Sequence, residues 1–156
     1  MKKVLIAYFS QGGTTRTIAG HIADGLLQTG ISAAFHDITT PLPALSCYAF
    51  LGVGSPAYLF RPPFNVLEFI QKLPALNGLP FFVFLMYGKI PGTAGNALRH
   101  ALTKKGGREI GYAKYKGADV FLGYLKRGVL FSPDNPTQEE CNKAGAFAKE
   151  VAHTLE

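Results

Sequence analysis

The chain has 156 residues, 47% of them hydrophobic and 17% charged, with a formal net charge of +6. That length and balance describe one globular domain, residues 1–156, with enough material for a proper core, and exclude a disordered chain. The longest apolar run, Leu79 to Tyr87, is too short to span a bilayer, and no Lys/Arg-rich run interleaved with aromatics points to nucleic acid.

Lys3 to Phe9 (KVLIAYF) is nearly all apolar, as expected of a parallel strand covered on both faces. Met1-Lys2-Lys3 has the look of a signal start, but the apolar stretch breaks at Ser10, so it reads as a first strand and a cytoplasmic location is expected. Thr14 to Thr29 repeats Ile18, Ile22 and Leu26 at four-residue steps beside Ala19, Ala23 and Leu27, one face of a helix that Gly30 stops. Ile31 to His36 is a second, weaker strand and Tyr48 to Val53 a third. Pro62-Pro63 opens a helix bearing Leu67, Ile70 and Leu73, closed by Pro74.

Pro80 to Met86 (PFFVFLM) is a fourth strand whose aromatic and β-branched content suits a central place in a sheet. Thr93 to Lys105 reads as a helix with Ala94, Leu98, Ala101 and Leu102 inward, ended by Gly106-Gly107. Arg108 to Lys116 and Ala118 to Leu125 read as segments of a split or extended fifth strand. The last helix starts with Asn135 as N-cap, Pro136 in first position and Gln138 reaching back. Its apolar stripe is Cys141, Ala144, Ala148, Val151 and Leu155. Strands alternating with helices imply right-handed crossovers and an open parallel α/β sheet covered on both faces. Ligands of such sheets bind beyond the carboxyl ends of the strands, which directs attention to the residues after Phe9, Val53 and Met86.

Three loops leave that edge. Ser10-Gln11-Gly12-Gly13-Thr14-Thr15 joins a strand to a helix, where N–H groups and the helix dipole favour an anion. Its glycines allow close approach and its hydroxyls can bond phosphate oxygens; an ordinary turn with Thr14 or Thr15 as helix cap is the competing reading. The dinucleotide and triphosphate glycine fingerprints are absent. Gly54 to Pro63 carries Tyr58-Leu59-Phe60 at its tip, a costly exposure unless something flat and apolar covers it or the side chains turn inward. Tyr87 to Asn96 is rich in glycine and offers a further aromatic face, or is a plain connection with Thr93 capping the next helix. Together the loops outline a pocket with phosphate at one end and a flat ring at the other.

The segments YFSQGGTTRTIA (8–19), GSPAY (54–58) and YGKIPGTAG (87–95) resemble the three cofactor loops of the flavodoxin family, and the resemblance runs through essentially the whole chain. It implies a flavodoxin-like three-layer α/β/α sandwich around a five-stranded parallel sheet of order 2-1-3-4-5, with FMN as cofactor. By position, Ser10, Gln11, Gly12, Gly13, Thr14 and Thr15 would bind the FMN phosphate. Pro56, Ala57, Tyr58 and Leu59 would line one side of the isoalloxazine, and Tyr87, Gly88, Lys89, Gly92 and Thr93 its pyrimidine edge and other face. The family's first loop commonly reads S/T-x-T-G-N-T; here Gly12 replaces the middle hydroxyl and Thr14 the asparagine, which removes donors and would weaken the hold on phosphate. More narrowly, the chain resembles the flavodoxin-like part of anaerobe proteins that carry a bacterial-type ferredoxin, although no cluster-binding cysteine run is present.

The expected function is electron transfer between redox partners, with the basic balance favouring an acidic one such as a ferredoxin. Arg16, Arg61 and Lys89, in or beside the loops, would raise the potential of the reduced, anionic flavin. The alternative is an FMN-dependent NAD(P)H:quinone or flavin reductase, for which Tyr58-Leu59-Phe60 and Tyr87 leave little room above the ring. A flavin-free module on the same fold is a third reading, but Phe9-Ser10 and Gly54-Ser55 lack a receiver's acidic residues. The histidines, His21, His36, His100 and His153, fall away from the loops, and Cys47 and Cys141 lack metal-ligand spacing.

Overall fold

The computed structural model describes residues 2–9, 13–57, 62–88, 92–116 and 137–155. In chain order its elements are β1 (Lys3–Tyr8), α1 (Thr14–Gln28), β2 (Ser32–Asp37), a short 3-10 turn (Leu45–Cys47), β3 (Phe50–Pro56), α2 (Phe64–Gln71), β4 (Pro80–Tyr87), α3 (Ala94–Lys104), β5 (Arg108–Lys116) and α4 (Gln138–Thr154). The five strands pair in parallel in the order β2-β1-β3-β4-β5. This is the expected α/β architecture and strand order.

The near-continuous apolar strands are explained by a core on each face of the sheet. Val4, Ile6, Phe50, Phe82, Phe84 and Met86 face α1 and α4, meeting Ile18, Ile22, Leu26, Ala144, Ala148 and Val151. The alternate residues Leu5, Ala7, Leu51, Val53, Phe81, Val83 and Leu85 face α2 and α3, meeting Val66, Ile70, Leu98 and Leu102. Period-two alternation thus sorts one strand's side chains between two cores. Burial of this apolar area is the main drive to fold.

Two aromatic residues of β4 occupy room that β3 leaves open. Gly52 pairs with Phe82 and Gly54 with Phe84, so each ring lies across a glycine of the neighbouring strand. A Cβ at Gly52 would come within 2.8 Å of the Phe82 ring edge, and one at Gly54 would overlap the Phe84 ring.

Helix α1 ends as its sequence predicts. Gly30 takes φ 87°, its N–H donates to the Leu27 carbonyl, and the Ile31 N–H donates to that of Leu26, which is a Schellman stop. Ile31 is spent on this stop, so β2 begins one residue late, where the Ser32 N–H reaches the Lys2 carbonyl. Likewise Tyr48 donates to Leu45 in the 3-10 turn, and the ladder of β3 starts only after Ala49 bonds to Lys3.

The start of α4 differs from expectation. The helix begins at Gln138 and its cap is Thr137, whose hydroxyl accepts from the Glu140 N–H at 3.2 Å. Thr137 and Glu140 offer the same three-residue capping relation as Asn135 and Gln138, with two acidic residues then placed in the positive first turn. Asn135, Pro136 and the segment 118–125 lie outside the described residues. Among the described residues no helix is long and apolar enough to cross a membrane.

Candidate functional site

The carboxyl ends of β1, β3 and β4 finish side by side. Tyr8 pairs with Gly54 and Pro56 with Met86, and the Phe9 N–H extends the ladder to the Gly54 carbonyl at 3.2 Å. The chain leaves β1 through α1 on one face and leaves β3 through α2 on the other. The strand order reverses at this point, the place where sheets of this kind bind their ligands.

At this edge Gly13 is the N-cap of α1, in the left-handed region at φ 85° and ψ −8°. A side chain would be strained there. Neither Thr14 nor Thr15 is the cap; both are the first residues of the helix. As a glycine the cap residue brings no side chain of its own, and no acidic residue lies in the first turn. A Cβ placed on Gly13 would meet nothing within 4 Å. A helix N-terminus that begins on glycine lets an anion come close to backbone N–H groups. Thr17 holds this turn from below, its Oγ1 donating to the Gly13 carbonyl at 2.9 Å. Thr15 is fully buried and Thr14 half-buried. Ser10, Gln11 and Gly12, the remainder of the expected phosphate loop, lie outside the described residues.

On the second loop, Pro56 and Ala57 are half-buried at the end of β3, within reach of the same edge. Tyr58 and Leu59 lie outside the described residues. Ser55, not among the residues expected at the site, is fully buried, and its hydroxyl donates to the Pro56 carbonyl at 2.8 Å. The Ala57 N–H donates to the Met86 carbonyl at 2.8 Å. The sequence signal for Ser55 was present: a hydroxyl in an apolar strand, immediately before proline.

On the third loop Tyr87 and Gly88 are half-buried at the end of β4, while Gly92 and Thr93 are exposed ahead of α3. Thr93 occupies the N-cap position, but its side chain makes no capping bond; its carbonyl accepts from the Ala97 N–H at 3.0 Å. Lys89 lies outside the described residues. The structure thus gathers Gly13, Thr14, Thr15, Pro56, Ala57, Tyr87, Gly88, Gly92 and Thr93 to loops at one edge of the sheet. A helix N-terminus beside the half-buried Pro56, Ala57 and Tyr87 at the ends of β3 and β4 suits a flat ring carrying a phosphate, which is the form of FMN.

Of the three loop cations, Arg16 is exposed near the start of α1; Arg61 and Lys89 lie outside the described residues. Asp37, at the end of β2, takes bonds from the Thr39 N–H at 2.9 Å and the Thr39 hydroxyl at 2.8 Å. The backbone bond first, then the hydroxyl, hold its carboxyl below the usual range. His36 is buried on β2, its ring 5.9 Å from that of Phe69 on α2. Among the described residues no cluster of His, Cys, Asp and Glu could hold a metal ion.

Comparison with known proteins agrees with this geometry. The model of a family described as the flavodoxin domain matches residues 5–130. No curated protein matches by sequence. Among solved structures, the chain is similar to a flavodoxin from the domain Archaea, with 18% identity, 98% of each chain covered and a TM-score of 0.76. Oxidised flavodoxin 1 of Bacillus cereus is 21% identical over 99% of this chain and 100% of its own, also at 0.76. The rubredoxin oxygen:oxidoreductase of the anaerobe Desulfovibrio gigas is 20% identical over 99% of this chain, again at 0.76, but only 36% of that longer chain is covered. At these identities the structural likeness establishes the fold.

Proposed function

This chain belongs to the flavodoxin domain family of FMN-binding electron-transfer proteins, and we propose that it acts as a carrier between redox proteins, without a substrate of its own. Bound FMN supplies the redox chemistry, accepting and releasing electrons one or two at a time. The protein's part is to hold the cofactor and set its surroundings. In this reading Ser10, Gln11, Gly12, Gly13, Thr14 and Thr15 hold the phosphate. Pro56, Ala57, Tyr58 and Leu59 wall one side of the ring, and Tyr87, Gly88, Lys89, Gly92 and Thr93 meet its edge and other face. The observation that carries the proposal is the left-handed glycine Gly13 as N-cap of α1, which starts a helix beyond the carboxyl end of β1 where the strand order reverses.

The partner we propose is acidic, because the chain carries a net charge of +6 and complementary charge speeds productive encounter. A bacterial-type ferredoxin suits, since the loops resemble the flavodoxin part of proteins that join the two. Arg16, Arg61 and Lys89 would place positive potential near the ring and favour its reduced, anionic form.

The purified protein is expected to be yellow and to release FMN, not FAD, in acid; a colourless protein that fails to take up added FMN would defeat the proposal. Stopped-flow mixing with NADH or NADPH separates a carrier from a reductase. Slow bleaching supports the carrier, and rapid bleaching would replace it with a reductase. A redox titration should place the reduced flavin at a higher potential than in an acidic flavodoxin; a lower potential would remove the role given to the cations.

A further inference from the structure

One peptide at the carboxyl end of β3 is tied at both of its polar atoms. The Pro56 carbonyl accepts from the Ser55 hydroxyl at 2.8 Å, and the N–H of the same peptide, on Ala57, donates to the Met86 carbonyl at 2.8 Å. Ser55 has no exposed surface, so water does not compete for its hydroxyl. The proline ring fixes φ of the residue between them. Pairing of Ser55 with Leu85 and Pro56 with Met86 ties this stretch to β4, whose own end bears Tyr87. The walls supplied by β3 and β4 are therefore set relative to one another before any ligand arrives.

We infer that Ser55 is a positioning residue for the cofactor ring: its hydroxyl, together with the Met86 carbonyl, holds the Pro56–Ala57 peptide in the arrangement the ring binds. The inference rests on the flavodoxin reading, which sets Pro56 and Ala57 against the isoalloxazine. Its physical basis is preorganisation. A wall ordered in advance spares the ligand the cost of ordering it on binding. Removing the hydroxyl leaves the Pro56 carbonyl without this bond and lets the peptide sample other orientations. Only the ring end of the cofactor should sense that change, because the phosphate sits at α1.

The test uses flavin-depleted protein titrated with FMN and, separately, with riboflavin, which has the ring but no phosphate. Ser55→Ala is expected to weaken both by the same factor, roughly fivefold, the loss of one hydrogen bond's worth of affinity. Titrations are run where circular dichroism shows the variant fully folded. A merely structural role would lower the urea midpoint of the apoprotein and leave both dissociation constants of the folded protein unchanged. That result overturns the inference, as does a loss confined to FMN. Should the alanine variant not fold, Ser55→Cys keeps the size with a weaker donor. It is expected to lose both flavins by one smaller factor, and unchanged binding of both overturns the inference. Wild-type protein that binds neither flavin overturns the flavodoxin reading itself, a different outcome from either.

Discussion

Helix α1 contains two interior glycines whose replacement by alanine should have opposite effects. Intrinsic propensity treats them alike: a glycine inside a helix costs about 1 kcal/mol relative to alanine. At Gly20 a Cβ would meet nothing within 4 Å, so Gly20→Ala should realise most of that gain, about 0.5–1 kcal/mol. At Gly25 the helix rests against α4. A Cβ there would stand 2.8 Å from the Ala148 Cβ and 2.8 Å from the Gly145 carbonyl oxygen. The carbonyl is backbone and cannot swing aside, which puts the overpacking cost near the upper end of the usual ~1–3 kcal/mol. Set against the same propensity gain, Gly25→Ala should be net destabilising by about 2 kcal/mol. For a chain of this size those figures mean a melting temperature roughly 1–4 °C higher for the first variant and roughly 4–8 °C lower for the second. The assay is thermal unfolding of the flavin-free protein by circular dichroism, so that ligand linkage does not enter. Adding Ala148→Gly to Gly25→Ala removes one of the two close contacts and should recover part of the loss. If Gly25→Ala instead raises the melting temperature as Gly20→Ala does, the close approach of α1 and α4 is refuted.

Gly54→Ala should lower stability by about 1–3 kcal/mol through collision with the Phe84 ring, and combining it with Phe84→Leu should show a stabilising coupling in urea unfolding; strictly additive effects would mean the ring lies elsewhere. Gly13→Ala should cost about 1–2 kcal/mol for the left-handed backbone and weaken FMN while leaving riboflavin affinity unaltered, a split that equal losses in calorimetric titrations would contradict. Burial holds the His36 pKa below its ordinary 6.5 against the opposing pull of Asp37. The folded state thus prefers neutral His36, and its contribution is present above about pH 6.5 and lost as pH falls through the lowered value. Urea midpoints measured from pH 7.5 downward should fall less steeply in His36→Gln; an NMR titration placing His36 above 6.5 would reverse the sign.

Much of the fold, and the sheet edge where a candidate site falls, could be read from local pattern. Apolar strands such as Pro80 to Met86 and the helix face of Ile18, Ile22 and Leu26 are written in periods of a few residues, and alternation of the two implies a parallel sheet with ligands at its carboxyl edge. Gly30 after Thr29 announces the stop of α1 for the same local reason. The glycines and hydroxyls of residues 10–15 mark a strand-to-helix junction in the sequence, and the structure makes Gly13, not a threonine, the cap of that helix.

What the tertiary structure decided are the matters that depend on residues distant in the chain. Only the register of β3 on β4 lays Phe82 and Phe84 over Gly52 and Gly54. Only the packing of α4 on α1 separates Gly25 from Gly20. Asn135 and Thr137 present the same capping pattern, and the choice of Thr137 depends on where α4 begins against the sheet. Ser55 gains its meaning from its neighbour's carbonyl and from Met86, a strand away. Period and propensity are properties of short segments and survive in the sequence. Close approach and strand register arise when segments far apart in the chain meet, and the folded protein sets them.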